Sequence, residues 1–115
     1  MTGDLFSEEF LAIHNLLDIG DFSLAFTKAQ NLLKATEDSN NNESTEYCLK
    51  LFNLAGLFVD IGSMKGDVAV VTTGYNLIIK HQSKMLKLIP SSDFYYNLAN
   101  AKSNMITTSN PFNHT

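Results

Sequence analysis

Three histidines, a lone cysteine and many serines and aspartates are the side chains of this 115-residue chain that could do chemistry, and their spacing assembles no reaction centre. Nucleophilic catalysis needs a serine or cysteine within hydrogen-bond reach of a base. His14, His81 and His114 fall in three separate segments, and no serine occupies a nucleophile elbow. Metal ligands recur at short intervals, and the chain has neither HxxxH nor CxxC spacing. Cys48 has no partner for an intramolecular disulfide and reads as a small apolar core side chain. His14 reads as a partly exposed structural residue, and His81, among Lys80, Gln82 and Lys84, as part of a solvated face. Gly62-Ser63-Met64-Lys65-Gly66 runs into Asp67 instead of the Gly-Lys-Ser/Thr ending of a phosphate loop. The expectation is a non-enzymatic protein without metal or cofactor.

Composition narrows the remaining classes. The net charge is -4, and all eight basic residues are lysines. Arginine is the preferred residue for bidentate contacts to phosphate and guanine, so no direct nucleic-acid partner is expected. At 44% apolar and 17% charged residues, the chain is globular and lightly charged, with apolar surface to spare for a partner. Its length suits one domain. The start, Met1-Thr2-Gly3-Asp4, lacks the pattern of a signal peptide. No apolar run approaches the roughly 20 residues of a membrane span. A cytoplasmic protein without membrane contact is expected.

The elements come from periodicity. Phe6, Phe10, Ile13, Leu16 and Leu17 recur at helical spacing and predict a helix over about 5–18. Gly20-Asp21 breaks it, and Asp21 can cap a second helix over about 22–36, marked by Leu24, Ala25, Ala29, Leu32 and Leu33. The short joint predicts an antiparallel hairpin. Glu37 to Ser44 is acidic and asparagine-rich and reads as an exposed loop. Cys48, Leu51, Leu54, Ala55 and Phe58 predict a third helix over about 45–61, ended by Gly62 to Asp67. Two structures compete for the stretch beyond Asp67. Val68 to Val71 is β-prone, and a strand hairpin with Thr72-Thr73-Gly74 as its turn is one of them. The other is a single helix over about 67–88, favoured by the longer pattern of Val71, Tyr75, Ile78, Met85 and Ile89. Pro90 stops it, and Ser91 or Ser92 can cap a fifth helix near 92–106. One domain over 1–106 with a frayed polar tail over 107–115 results.

Internal similarity organises these helices. Leu51 to Phe58 is echoed 44 residues later by Tyr95-Tyr96-Asn97-Leu98-Ala99-Asn100-Ala101, and Asp-Ile-Gly recurs 42 residues apart, at Asp18-Ile19-Gly20 and Asp60-Ile61-Gly62. Such periods mark stacked helical hairpins. The Tyr95–Ala101 run, the looser Leu51–Phe58 run and Gly20-Asp21-Phe22 with Ala25, Ala29 and Leu32 resemble tetratricopeptide (TPR) repeats. The resemblance covers most of 6–106 but departs from the family in period, which is usually 34 residues. It implies an all-α, right-handed superhelix of about five helices, or two and a half units. The run and its spacing are also similar to helices found in front of HEPN ribonuclease domains of bacterial defence proteins. The nuclease site itself needs an arginine followed shortly by histidine, and this chain has no arginine.

The resemblance also implies where a partner binds. The first helix of each TPR unit lines a groove, in which asparagines at the places of Asn53 and Asn97 bond the backbone of an extended ligand. An amide side chain donates and accepts at once, which suits a peptide bond. Phe52 and Tyr96 precede these asparagines, and Gly56 and Asn100 come one turn later. Both asparagines could equally tie adjacent helices together, and Phe52 and Tyr96 could be ordinary core. Lys50 and Lys102 are too isolated to clamp a C-terminal carboxylate. The expected function is binding a peptide or helix of a protein partner. The alternative is a regulator, antitoxin or inhibitor acting on a nuclease effector in bacterial or phage defence. A half unit at the end also predicts a homo-oligomer, a dimer whose chains cover each other's ends.

Overall fold

The computed structural model describes residues 5–39 and 44–109, and these form six helices and no strand. They are α1 Leu5–Asp18, α2 Phe22–Glu37, α3 Thr45–Lys65, α4 Val68–Lys80, α5 Gln82–Leu88 and α6 Ser91–Ser109. Each packs on its neighbours in turn, α1 on α2, α2 on α3, α3 on α4, and α6 on both α3 and α4. The stack is long and thin, 47 × 30 × 21 Å.

Two Gly-Asp pairs turn the chain. Gly20 and Gly66 have φ of 82° and 71°, the left-handed region that glycine enters without a Cβ clash. At the first turn, Asp21 N–H bonds Leu16 O and Gly20 N–H bonds Leu17 O, the paired closure of a Schellman motif. Asp67 N–H to Gly62 O and Gly66 N–H to Ser63 O repeat it at the second. Each aspartate then caps the next helix, Asp21 Oδ1 accepting from Leu24 N–H at 3.2 Å and Asp67 Oδ1 from Ala69 N–H at 3.1 Å. The glycine that ends α3 is therefore Gly66 and not Gly62. Asp60-Ile61-Gly62 lies inside the helix, so its likeness to Asp18-Ile19-Gly20 is not a likeness of turns.

Gly62 has another task. A Cβ there would lie 2.5 Å from the Val71 nitrogen, and one on Gly74 would lie 2.5 Å from the Ala55 carbonyl oxygen. The two glycines let α3 and α4 cross with their backbones nearly touching. This settles the ambiguous stretch as helix. Val70, Val71, Leu77 and Ile78 are buried, while Thr72 and Thr73 return their hydroxyls to the carbonyls of Val68 and Ala69 at 2.8 and 3.0 Å. α3 is the central element, with Leu51, Leu54, Ala55, Phe58 and Ile61 fully buried. Its 21 residues are long and apolar enough to meet the length and composition of a membrane span, but half of that window is buried against the other helices.

The expected long helix over 67–88 is interrupted. His81 sits at φ -113°, ψ 15° and separates α4 from α5. It is half-buried, edge-on to the Tyr47 ring at 6.3 Å, and its Nε2 meets no hydrogen-bond partner among the described residues. This corrects the solvated face expected there. α6 also extends beyond its expected end, through Ser109. Residues 40–43 of the acidic loop and 110–115 of the tail, with His114, lie outside the described residues.

The packing can be checked in two ways. Gly74→Ala gains about 1 kcal/mol of helix propensity but forces a methyl into backbone. The expected net loss is about 1–3 kcal/mol, a fall in melting temperature of roughly 5–15 °C. Gly56→Ala meets only Asn97 Oδ1, at 3.9 Å, and should leave the midpoint unchanged or raise it. Equal melting of the two variants would contradict the close crossing. His81 titrates below its ordinary 6.5, chiefly through burial and then through Lys80, with Lys84 also lowering it and Glu37 opposing. A base depressed in the folded state leaves stability intact above 6.5 and removes it as the pH falls through and below that value. The wild type should lose thermal stability as the pH is lowered from above 6.5 to below it, and His81→Leu should lose less.

Candidate functional site

α1 and α3 diverge on one side of α2 and leave a recess of about 570 Å³ between them. Phe6, Phe10, Leu11 and His14 supply one wall, and Glu46, Leu49, Lys50 and Asn53 the other. The spacing explains the faces. Phe6 and Phe10 are one turn apart and stack at 5.7 Å, and His14, one turn further, meets Phe10 edge-on at 4.8 Å. Ile13 and Leu17, on the next face, are buried in the core. Leu11 cannot join them and stays 62% exposed, and Leu49 across the recess is 39% exposed. Leu51 and Leu54, by contrast, are fully enclosed.

Polar groups frame this apolar floor. Lys50 Nζ lies 3.7 Å from Glu46 Oε1 and 5.3 Å from the Phe6 ring centroid, so its ammonium is held at the rim. Asn53 is exposed at the edge. Two helical turns beyond it stands Asp60, which opens to the surface but has helices on its flanks. Their removal of part of its water pushes the Asp60 carboxyl above its ordinary 3.8, and the charge of His14 pulls it partly back. Among the described residues Asp60 makes no ion pair or hydrogen bond.

The structure distributes the six residues expected at the groove. Asn53 borders the recess. Gly56 faces Asn97 of α6. Asn97 Nδ2 donates to Asp93 O at 2.8 Å, and the carbonyl and side-chain oxygens of Asn100 accept from Asn104 Nδ2 at 2.8 and 3.1 Å. Ser63 Oγ closes the α3–α6 seam by donating to Asn104 Oδ1 at 2.9 Å. Gly56, Asn97 and Asn100 thus lie at the α3–α6 seam with Ser63 and Asn104, while Asn53 stands apart at the recess. Tyr96 is 71% exposed. Phe52 is half-buried and packs on the core, the other role its position allowed. Sequence reasoning missed Phe10, Leu11, His14 and Leu49. The signal was a first helix apolar on more faces than a single hairpin contact can cover.

The rest of the chemistry is quiet. Cys48 is buried, and burial raises its thiol pKa, which disfavours the nucleophilic thiolate. Among the described residues no three of histidine, cysteine, aspartate and glutamate converge to hold a metal ion. Set against protein-family models, curated proteins and solved structures, the chain matches none of them.

Asp60 gives this geometry a measurable sign. A carboxyl raised in the folded state penalises the native protein when ionised and stops doing so once protonated. Asp60→Asn should therefore raise the melting temperature at neutral pH, by an amount that shrinks as the pH falls toward the ordinary 3.8 and is gone below it. A variant that melts lower than wild type at neutral pH would show that the carboxylate is satisfied.

Proposed function

We propose that the chain is a non-enzymatic protein–protein interaction module that takes a peptide or helix of a partner along the surface formed by α1, α3 and α6. The observation that carries this reading is the apolar recess between α1 and α3, open to solvent and bordered by Asn53, with Gly56 and Asn97 further along α3 at the α6 contact. Apolar anchors beside amides able to bond a peptide backbone are what such a surface requires. A TPR-like superhelical stack is the proposed arrangement of the helices. The Gly-Asp turns, the small contact at Ala55 and the elongated shape support it. The far flank of α6 exposes Tyr95 and Ile106, 56% and 70%, and supports self-association through that end.

A second reading, a regulator of a nuclease effector in bacterial or phage defence, is favoured by one observation. α1 carries Glu8, Glu9 and Asp18 and no lysine, an acidic helix of the kind that can approach a basic surface.

The test is affinity purification from the native host with quantitative mass spectrometry, using wild type, Leu11→Ser with Leu49→Ser, and Asn53→Ala with Asn97→Ala. All four positions lie outside the core, so the variants should fold, which circular dichroism checks. Recovery of the partner should fall about ten-fold or more with the leucine pair and less with the asparagine pair. Unchanged recovery with both pairs would remove the groove assignment.

A further inference from the structure

Among the described residues, His81 Nε2 is the buried side-chain nitrogen that meets no hydrogen-bond partner. The ring is half-buried at the joint where the chain passes from α4 into α5. A neutral imidazole can leave one nitrogen unpaired at modest cost. The protonated ring has two N–H donors and a full charge to satisfy, and enclosing it without an acceptor costs far more.

The groups around the ring do not supply that acceptor. Tyr47 of α3 meets it edge-on with ring centroids 6.3 Å apart. Burial, and then Lys80 of α4, oppose a charge on the ring; Lys84 of α5 opposes it too, and Glu37 at the end of α2 works the other way. The two helix ends offset each other, since a cation is favoured at the C-terminus of α4 and disfavoured at the N-terminus of α5.

α5 is the element with least to hold it. Its seven residues fall well short of the roughly 12–15 that a helix needs to persist alone in water. The His81 side chain gives its N-terminus no capping bond. Met85 is its buried residue, Ile89 is buried just past its end, and the other six residues of the helix are exposed. Met85 N–H bonds the His81 carbonyl at 3.0 Å, and Ile89 N–H bonds the Met85 carbonyl at 2.8 Å. The backbone of His81 is thus the first link of the chain of bonds that places both apolar anchors. Lys84 acts on Tyr47 and Cys48 together, so α5 lies over that part of α3, where Cys48 is buried.

We propose that His81 is a pH-sensitive latch for α5: enclosed as the neutral ring it holds α5 on α3, and on taking a proton from solvent it turns outward, frees Met85 and Ile89 and uncovers Cys48, while the α3–α4 crossing stays packed. The proton adds to the unshared pair of the ring nitrogen, and no covalent bond breaks. The cost of charging the ring is met by moving one short helix instead of unfolding the chain. This goes beyond the interaction reading and stands independently of the recess.

The experiment follows the full chain from above the ordinary histidine value of 6.5 to well below it. Amide hydrogen exchange and labelling of Cys48 by a pyridyl disulfide are each divided by the rate of the unfolded chain at the same pH. If only the open form takes the proton, each pH unit below 6.5 multiplies opening by up to about ten. Exchange at Met85 to Ile89 and labelling of Cys48 should therefore rise together by about ten-fold or more, while Val70, Val71 and Gly74 at the crossing change less than about two-fold. His81→Leu and His81→Gln should each abolish the pH dependence, the second without adding apolar surface. An equal rise across all helices would mean general acid unfolding and would overturn the proposal. So would an unchanged pH dependence in the two variants, or no rise at α5 and Cys48 in the wild type.

Discussion

The close crossing of α3 and α4 is the constraint on which the rest of the structure depends. Hydrogen at Gly62 and Gly74 lets one helix backbone lie against the other, with the Ala55 carbonyl and Val71 amide at the contact. Dispersion and apolar burial both rise as the distance falls, and no flexible side chain remains between the helices to adjust it. α4 is thereby fixed on α3, and α6 is fixed on both. The burial demand of α3 is met by α2, α4 and α6. Its remaining edge, with Leu49, Asn53 and Asp60, is left exposed.

Most helix positions were legible because the local signals agreed. Capping aspartates, Gly-Asp turns and the apolar stripes of the first two helices all point the same way, and the helices lie where those signals put them. The third helix runs past its expected end because Gly62 has two possible roles. A glycine that ends a helix and one that admits a neighbouring helix look alike in sequence, and only the position of Val71 across the contact distinguishes them. The valine and threonine run after Asp67 was ambiguous for a related reason. β-branched residues lose little in a helix once tertiary contact supports it, and that support came from α3. The break at His81 had no local signal. Neither glycine nor proline stands there, and the interruption places Met85 and Ile89 in the core from a new direction.

The candidate site was legible by half. The amides of α3 and α6 could be found by comparing two similar runs within the sequence. The recess could not, because it belongs to the relation between α1 and α3, helices separated by a whole hairpin. Periodicity records which side of one helix is apolar, not where two helices part. Leu11 and Leu49 each look like ordinary apolar residues until the structure leaves both uncovered on opposite walls.

The position of the recess also bears on what kind of ligand it suits. Enzymes hold reacting groups on rigid elements within narrow tolerances. Here one wall is α1, whose main support among the described residues is α2, while the other is α3, the best enclosed helix of the fold. Under the proposed reading, a wall supported mainly from one side suits a partner side chain of imprecise shape better than a transition state. The aromatic ladder of Phe6, Phe10 and His14 presents broad faces on the α1 wall. Apolar contact tolerates such adjustment because it is non-directional, whereas a charge pair does not. Under the proposed reading the apolar contacts belong to both walls, Phe6, Phe10 and Leu11 on α1 and Leu49 on α3.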